Sequence, residues 1–476
     1  MITRDKALLV GGAPTAELLR SVIQEFQKDS VRRDKLWNYY QLNHDICTRI
    51  RAKGLPNNML VHDFPGYIVS MVTGYLVGNA VGYSDDTQKA ALDVILDTYK
   101  RDSVDSVDSE VAADSSIFGV GVEICYAGQD SNPHVSKLDR RNAFVVYDDT
   151  VEHSPLFGVH WMPRVKADGT PDGFRAWVYT PTARIPYTGT TVDTLVETGA
   201  VEAHYFGTVP IVEYWNNPQE TGDFERVLSL IDAYDKLQSD RINDKQQFVD
   251  ALLILFGVTG LQPSTDEKDE RTPGQRLRDE GVLILPEAKE GGAQWLTKQL
   301  TESDVEVLKD AVKSDIHKFS MIPDLTDQEF AGNSSGVAMK FKLLGLEQLT
   351  KIKERWFREG LRWRLRLFGN FLAIKGAPKL DADAVTLTFT RSLPVNDLEI
   401  AQTVQNLQGI VPDEILLKQI PWISDVKEAL QMLIKQKTEA IKQQAAAFGA
   451  YPGQGSAGND PGNEPGNDPG AKEGAE

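Results

Sequence analysis

Cysteine, basic charge and long apolar runs are scarce in this sequence, and each shortage excludes a class of protein. Only Cys47 and Cys125 occur among 476 residues, too few for a disulfide framework or a cysteine-based zinc site, so we expect a reducing compartment. Lys and Arg total 51 against 69 Asp and Glu, a net charge of −18. This excess of acidic residues argues against a protein whose whole surface binds nucleic acid. Ser70, Thr73 and three glycines interrupt the uncharged residues 67–83. This stretch falls short of the roughly 20 apolar residues of a membrane span, and we expect no membrane partner.

Familiar catalytic motifs are missing from the sequence as well. It contains no Gly-x-x-x-x-Gly-Lys-Ser/Thr phosphate loop, no His-Glu-x-x-His and no Gly-x-Ser-x-Gly, and its seven histidines lack the close His or Cys partner of a zinc site. We therefore predict a protein that is not an enzyme and has no cofactor. One enzymatic alternative stays open, because Asp240 and Asp244 lie one helical turn apart and Asp148 adjoins Asp149. Such pairs can hold Mg²⁺ in a nuclease or phosphotransferase, or they form a solvated helix face and a turn.

The first half of the chain predicts a mixture of helices and strands. Helical spacing covers residues 15–40 and 86–114. Short β-branched and aromatic runs between Gly, Pro and Asp clusters then predict strands at 144–147, 157–161, 176–179 and 211–215. Asp223 can cap a helix that continues towards Leu255. The apolar run at 251–257 accordingly predicts a buried helix end.

The second half predicts long helices separated by irregular segments. Residues 262–292 are rich in Pro and Gly around one apolar run, 282–285, and form an excursion between two long helices. The second of these helices begins near Thr301 and ends at Pro323, and a polar loop, residues 323–335, follows it. The remaining predicted elements are a long helix at 336–370, a strand at 385–389, two helices ending near 447 and a disordered acidic tail at 449–476, where 12 of 28 residues are Gly or Pro.

The predicted helix at 336–370 carries nine basic residues against three acidic ones. It is either a phosphate-facing stripe or a structural face paired with acids such as Asp102, Asp105, Asp108 and Glu110 of the same or a neighbouring subunit. We favour the structural interpretation, because large apolar side chains interleave with the charges and have to be buried by a partner. The residues expected at a subunit interface are Arg355, Trp356, Arg358 and Trp363.

The order of these elements resembles the portal proteins of tailed bacteriophages, in their siphophage branch. The resemblance extends over residues 34–391 and lies in several short motifs that follow one another in order. They are Tyr75, Gly78 and Tyr83; Phe118, Gly119 and Glu123; Phe206, Gly207, Val209, Pro210, Asn216 and Asn217; residues 230–235 with Ser239 and Asp240; and residues 322–325 leading to 335–340.

The resemblance implies an α+β subunit of a cyclic homo-oligomer, with a mixed α/β wing, a two-helix stem, a clip, a long wing helix and an α-helical crown. The implied parts are the wing at 1–222, a helix leading into the stem at 223–261, the clip at 262–300, the stem helix at 301–322, the channel loop at 323–335, the long wing helix and return strand at 336–410, the crown at 411–448 and the tail at 449–476. The implied site residues are Asp324, Asp327, Glu329, Phe330, Asn333, Ser334 and Ser335, facing DNA in the channel loop, and Lys309, Lys313 and Lys318 in the stem.

The implied function is a ring of about twelve subunits at one capsid vertex, through which double-stranded DNA is packaged and ejected without regard to its sequence. The implied partners are the terminase large subunit, head-completion (adaptor) proteins, and the major capsid and scaffolding proteins, in the virion and, during assembly, in the host cytoplasm. An acidic chain suits a conduit through which DNA slides. Two alternatives remain, namely another ring-forming head-tail connector and the Mg²⁺-dependent enzyme. By itself, the loop at 323–335 is an ordinary polar connection.

Overall fold

The computed structural model describes residues 1–52, 55–249, 252–256, 282–285, 292–296, 302–325, 340–391, 397–417, 420, 423 and 426–448. Contacts divide the chain into two units, Met1–Leu393 and Pro394–Glu476, and each is described by itself. The second unit begins at Pro394.

Eight helices are described in the first unit. They are α1 (Ala16–Gln27), α2 (Ser30–Tyr40), α3 (Phe64–Val77), α4 (Lys89–Asp102), α5 (Val104–Phe118), α6 (Leu228–Val249), α7 (Glu302–Ser320) and α8 (Leu344–Ile374). The first two predicted helices are each divided in two. Between α4 and α5 the break is Ser103, whose φ of +50° is left-handed and cannot continue a right-handed helix.

The four strands predicted between residues 117 and 215 are confirmed. The strands of this unit are β1 (Ile2–Arg4), β2 (Leu9–Val10), β3 (Ala13–Pro14), β4 (Gly82–Ser84), β5 (Val120–Ala127), β6 (Pro133–Leu138), β7 (Ala143–Asp148), β8 (Pro155–Val165), β9 (Pro171–Tyr179), β10 (Ala183–Gly189), β11 (Val196–Glu197), β12 (Glu202–Ala203), β13 (Ile211–Trp215), β14 (Leu252–Phe256), β15 (Val282–Leu285), β16 (Gly292–Leu296) and β17 (Thr386–Thr388). The largest sheet has the order β1-β7-β8-β9-β10-β11, with β12 also paired to β10, and a second sheet has the order β13-β5-β6.

The predicted continuation of the helix towards Leu255 is wrong. Helix α6 ends at Val249, and residues 252–256 form β14, the central strand of the sheet β15-β14-β16. β14 pairs parallel with β15 and antiparallel with β16. An apolar run of this length lacks a period that separates strand from helix, so its pairing partners decided its conformation.

Helix α8 lies in the centre of the first unit. Phe357, Leu361, Leu365 and Phe368 are almost fully buried and pack in one core cluster with residues of α4, α5 and β13. The return strand β17 pairs antiparallel with β4 and buries only Leu387 between two exposed threonines, as the alternating pattern predicts. None of the described helices is long and apolar enough to span a bilayer. Helix α3, within the uncharged stretch, is a core helix that buries Ile68, Val72 and Leu76.

The second unit is helical where it is described. It contains α9 (Asp397–Leu407), α10 (Asp413–Leu417) and α11 (Val426–Phe448). Lys437 of α11 forms an ion pair with Asp413 of α10 at 2.8 Å. The expected tail at 449–476 lies outside the described residues.

Candidate functional site

Helices α6 and α7, the two expected stem helices, pack against each other. Along the sequence, the three strands of the sheet β15-β14-β16 lie between them. Arg241 of α6 pairs with Glu306 of α7 at 2.9 Å. Lys309, one of the three predicted stem lysines, pairs with Glu306 and with Asp310. The hydrogen bond from Lys309 lowers the pKa of the exposed Glu306. The charge of this lysine is therefore met by two carboxylates of its own helix.

Asp240, which with Asp244 formed the acid pair of the alternative Mg²⁺ site, is held by two guanidinium groups. Arg49 and Arg51 both donate to its Oδ1. Asp148 is also engaged, since it accepts hydrogen bonds within its own turn from Thr150 and Ser154. Within the described ranges, no group of three or more His, Cys, Asp or Glu side chains converges as a metal site requires. The structure thus places Asp240 in an ion-pair network.

Arg49 and Arg51 belong to residues 44–52 and 55–62, which we call the strap because polar contacts fasten them along α6. His44 contacts Asp235 at 2.5 Å, and His62 contacts the other oxygen of the same carboxylate at 2.7 Å. The Leu60 amide donates to Ser239 at 2.9 Å. Burial opposes the ionisation of Asp235, but the two histidine hydrogen bonds outweigh it and lower the pKa of the carboxyl. The buried polar face of α6 therefore serves to hold the strap.

The root of the expected channel loop lies against α3 and α7. Asp324, predicted to face DNA, pairs with the predicted stem residue Lys313 at 2.6 Å, and only a fifth of its side chain is exposed. Lys318 lies 5.6 Å from the Phe319 ring centroid. An open cavity of about 700 Å³ at this root is lined by Lys313, His317, Lys318, Asp324 and Lys342, among others. The other predicted channel residues, Asp327, Glu329, Phe330, Asn333, Ser334 and Ser335, lie outside the described residues.

Most basic residues of α8 are paired with acids of the same chain. On its buried side, Arg364 is fully buried and donates to Asp108 at 2.5 Å and to Glu123 at 3.2 Å. Asp108 is one of the acids predicted to pair with this helix. Lys353 pairs with Asp223 at 2.5 Å, and both side chains are almost fully buried. Burial raises the pKa of Glu123 to about 7 despite the opposing charge of Arg364.

The solvent side of α8 shows the same pairing at its surface. Ion pairs within the helix join Lys351 to Glu347, Arg358 to Glu354 and Arg362 to Glu359, and Arg366 reaches Asp383. Arg355 is exposed, and no ion pair joins it to a described residue. The helix therefore presents little uncompensated charge to a phosphate backbone, which favours the structural interpretation.

The predicted interface tryptophans border one apolar cavity of about 380 Å³. Trp356 stacks on Trp215 with ring centroids 5.6 Å apart, and the indole N–H of Trp363 donates to the Val209 carbonyl at 3.2 Å. Both indoles are half-buried, and the cavity that they line is completed by Tyr147, Ile211, Glu359 and others. The structure thus brings Trp356 and Trp363 together in one apolar recess and leaves Arg355 apart in solvent.

Sequence reasoning missed the strap contacts and the Lys353–Asp223 pair. Each joins residues far apart in the chain, 191 positions for His44 and Asp235 and 130 for Lys353 and Asp223. No local spacing marks such partners. The signals near them were the motif at residues 230–235 with Ser239 and Asp240, and the helix cap predicted at Asp223.

Comparison with known proteins places this arrangement in one family. A family model described as phage portal protein, SPP1 Gp6-like, matches residues 19–443. The portal protein of Bacillus phage SPP1 is 23% identical over 459 residues, which cover 90% of this chain and 88% of that protein. The portal protein of Clostridium phage phiCD119 is 27% identical over 234 residues, 49% of this chain and 50% of that protein.

Two solved structures with low sequence identity are also similar to the chain. The first is the neck of the native GTA particle computed with C12 symmetry, at 12% identity and a TM-score of 0.42 over 83% of this chain and 93% of that one. The second is the neck of the empty GTA particle computed with C6 symmetry, at 11% identity and a TM-score of 0.40 over 77% of this chain and 89% of that one.

Because the family model covers most of its length, the chain belongs to the SPP1 Gp6-like family of phage portal proteins. This is a family of structural proteins of the bacteriophage virion and is not an enzyme family.

Proposed function

We propose that this protein forms a closed ring of about twelve copies at a single capsid vertex and conducts double-stranded DNA during packaging and ejection. The observation that carries the proposal is the family match over residues 19–443. In the proposed assembly α6 and α7 are the stem, and β15 and β16, which lie within residues 262–300, belong to the clip. The clip docks the terminase large subunit and later the head-completion proteins, and the wing meets the capsid and scaffolding proteins.

Charge pairing in the stem supports a conduit in which DNA slides. Each lysine that contacts phosphate releases counterions and adds a salt-dependent grip. Lys309 and Lys313 are both paired with carboxylates, Lys313 with Asp324 at the root of the loop. Stem cations that are already compensated hold passing phosphates weakly, as transport of any sequence requires.

The aromatic recess on α8 supports a subunit contact. Trp356 and Trp363 keep part of their rings exposed beside an apolar cavity, and exposed aromatic recesses of this kind mark protein interfaces. The neighbouring copy covers this recess in the proposed ring. Arg355, exposed on the same helix, then meets an acidic surface of that copy, and Arg358 contributes beside it.

Native mass spectrometry with end-on electron microscopy tests the ring. We expect one closed species with a central hole, and weaker assembly when Arg355 and Arg358 are both reversed to Glu, since acidic neighbours would then face like charge. Reversing the exposed Lys6 and Lys28, which lie outside α8 and away from these acids in the sequence, is the matched charge control. A stable monomer of the unmodified protein at micromolar concentration, in low and in moderate salt, would contradict the proposal.

Packaging into reconstituted procapsids tests the channel loop. Replacing Asn333 by Lys adds one cation per subunit, so we expect normal rings but slower filling or a changed packaged length, with stronger salt sensitivity. Asn333→Gln is the matched neutral control. Unchanged packaging with Asn333→Lys would place residues 323–335 outside the channel.

A further inference from the structure

The start of the channel loop is held by a tyrosine from a distant part of the chain. Tyr67 lies in the first turn of α3, which begins with the Asp63 side chain accepting from the Gly66 amide at 2.8 Å. Its hydroxyl donates to the Pro323 carbonyl at 2.7 Å and accepts from the Leu325 amide at 3.3 Å. One hydroxyl thus bridges two backbone groups at the point where the chain leaves α7.

The Tyr67 hydroxyl suits both of its backbone partners. A carbonyl needs a donor and an amide needs an acceptor, and a hydroxyl group supplies both. Serine and threonine also carry one, but a phenol ring is needed to extend from α3 while it packs against the core. The Tyr67 ring does pack there, edge to face with His317 at 5.8 Å between centroids.

The same short segment has further fixed points on α7. Met321 ends the helix with a φ of +61°, and the next residue, Ile322, is almost fully buried in the core shared by α3, α6 and α8. The His317 ring donates from Nδ1 to the Ile322 carbonyl at 3.1 Å, because a carbonyl can only accept. Asp324 is tied to Lys313 at 2.6 Å.

The opposite end of the loop returns to the same place. At Gly345, in the first turn of α8, an added Cβ would lie 3.2 Å from the Met321 carbonyl oxygen. The end of α7 and the start of α8 are therefore in close contact, so the two ends of the intervening segment lie side by side. Tyr67 binds the first of these two ends, at Pro323 and Leu325.

We propose that Tyr67 is a positioning residue that locks residues 323–325 to α3 and so sets the direction in which the channel loop leaves the stem. The functional consequence rests on the proposed role of residues 323–335 in the channel. In this arrangement the wing helix α3 and the stem helix α7 hold the loop jointly. Displacement of α3 is then transmitted to the start of the loop through the Tyr67 hydroxyl, in addition to the packing of Ile322 against α3.

Hydrogen exchange of Tyr67→Phe rings tests the lock directly, because Leu325 donates its own amide to the hydroxyl. Phenylalanine keeps the ring and its packing, so we expect unchanged assembly and unchanged exchange in α3. Exchange at the Leu325 amide should rise about fivefold, the factor that one hydrogen bond of ordinary strength supplies. Tyr40→Phe is the matched control, since Tyr40 packs against the same core and its change should leave Leu325 unaffected.

Packaging assays with the same rings test the role of residues 323–335 in DNA passage separately from the Tyr67 hydrogen bonds. We expect slower filling or altered packaged length with Tyr67→Phe and none of this with Tyr40→Phe. Unchanged exchange at Leu325 in Tyr67→Phe would overturn the lock. Faster exchange at Leu325 with unchanged packaging would uphold the lock and overturn the proposed role of the loop in DNA passage.

Discussion

Replacing Lys353 by methionine is the sharpest test of how α8 is held in the subunit. Lys353 and Asp223 form a pair whose side chains are 3% and 2% exposed, with Nζ 2.5 Å from Oδ2. Burial lowers the pKa of Lys353, and the charge of Asp223 opposes this effect. Methionine fills a similar volume, so the substitution removes the charge and leaves little cavity.

The expected loss follows from what remains around Asp223. Removing one member of a buried ion pair typically costs about 3–5 kcal/mol, because the other charge stays buried without compensation. Asp223 keeps hydrogen bonds from Ser116 at 2.5 Å and from Asn216 at 2.9 Å. These place the loss at the lower end, about 3 kcal/mol.

Urea unfolding at fixed protein concentration, followed by tryptophan fluorescence, gives the measurement. Lys351→Met is a matched control on the same helix, since Lys351 is 64% exposed and pairs with Glu347 at 3.3 Å. We expect that control to lose less than about 0.5 kcal/mol. Adding Asp223→Asn to Lys353→Met should recover part of the loss, because no buried charge then remains.

Equal losses for Lys353→Met and Lys351→Met would refute the reasoning. They would mean that water reaches Asp223 or that the chain relaxes around it, so that the contact at 2.5 Å adds nothing specific. A double variant less stable than Lys353→Met would also contradict the argument from a buried, uncompensated charge.

Three further changes have defined outcomes. The pKa of Glu123 is about 7 in the folded protein and the ordinary 4.5 in the unfolded chain, so the stability contributed by its proton should fall as pH rises between these values. Glu123→Gln should reduce this pH dependence, measured as urea midpoints at pH 5 and 7.5. An unchanged pH dependence would contradict the assignment. Asp240→Ala should lower the unfolding free energy by about 1 kcal/mol by unpairing Arg49 and Arg51, whereas Mg²⁺-dependent DNA hydrolysis that disappears in the variant would restore the nuclease interpretation. A chain ending at Phe448 should fold and form rings by native mass spectrometry, because the Gly- and Pro-rich tail offers no core, and failure to assemble would make the tail structural.

Local patterns predicted the elements whose sequence carries a clear period or alternation. Residues 211–215 are a strand, and Leu387 alternates with exposed threonines, as their side chains indicate. The misassigned residues 252–256 lack such a pattern, since all five are apolar. Their conformation follows from pairing with 282–285 and 292–296, which no local window contains. The break at Ser103 was missed for a similar reason, because apolar spacing continues across it.

The residues of the candidate site likewise fall into those recognisable from local sequence and those whose role depends on distant partners. The aromatic and basic residues of α8 were recognisable, and the same-chain partner Asp108 was among the acids expected for them. Tyr67 was not recognisable as a site residue, because nothing around it points to Pro323, 256 positions later. The hydrogen bonds that give it a role exist only after α3, α7 and the loop root have packed.

The amino-acid sequence by itself determined the family, the acidic balance, the order of most helices and strands and the amphipathic character of α8. These properties depend on composition and on neighbours within a few residues, which the printed chain displays. Only the tertiary structure decided which charges are compensated. Lys351 and Lys353 lie on the same helix two positions apart, yet one is 64% exposed and the other is buried against Asp223. Burial and the identity of a partner are set by packing between distant segments, and this packing separates two lysines that the sequence presents as equivalent.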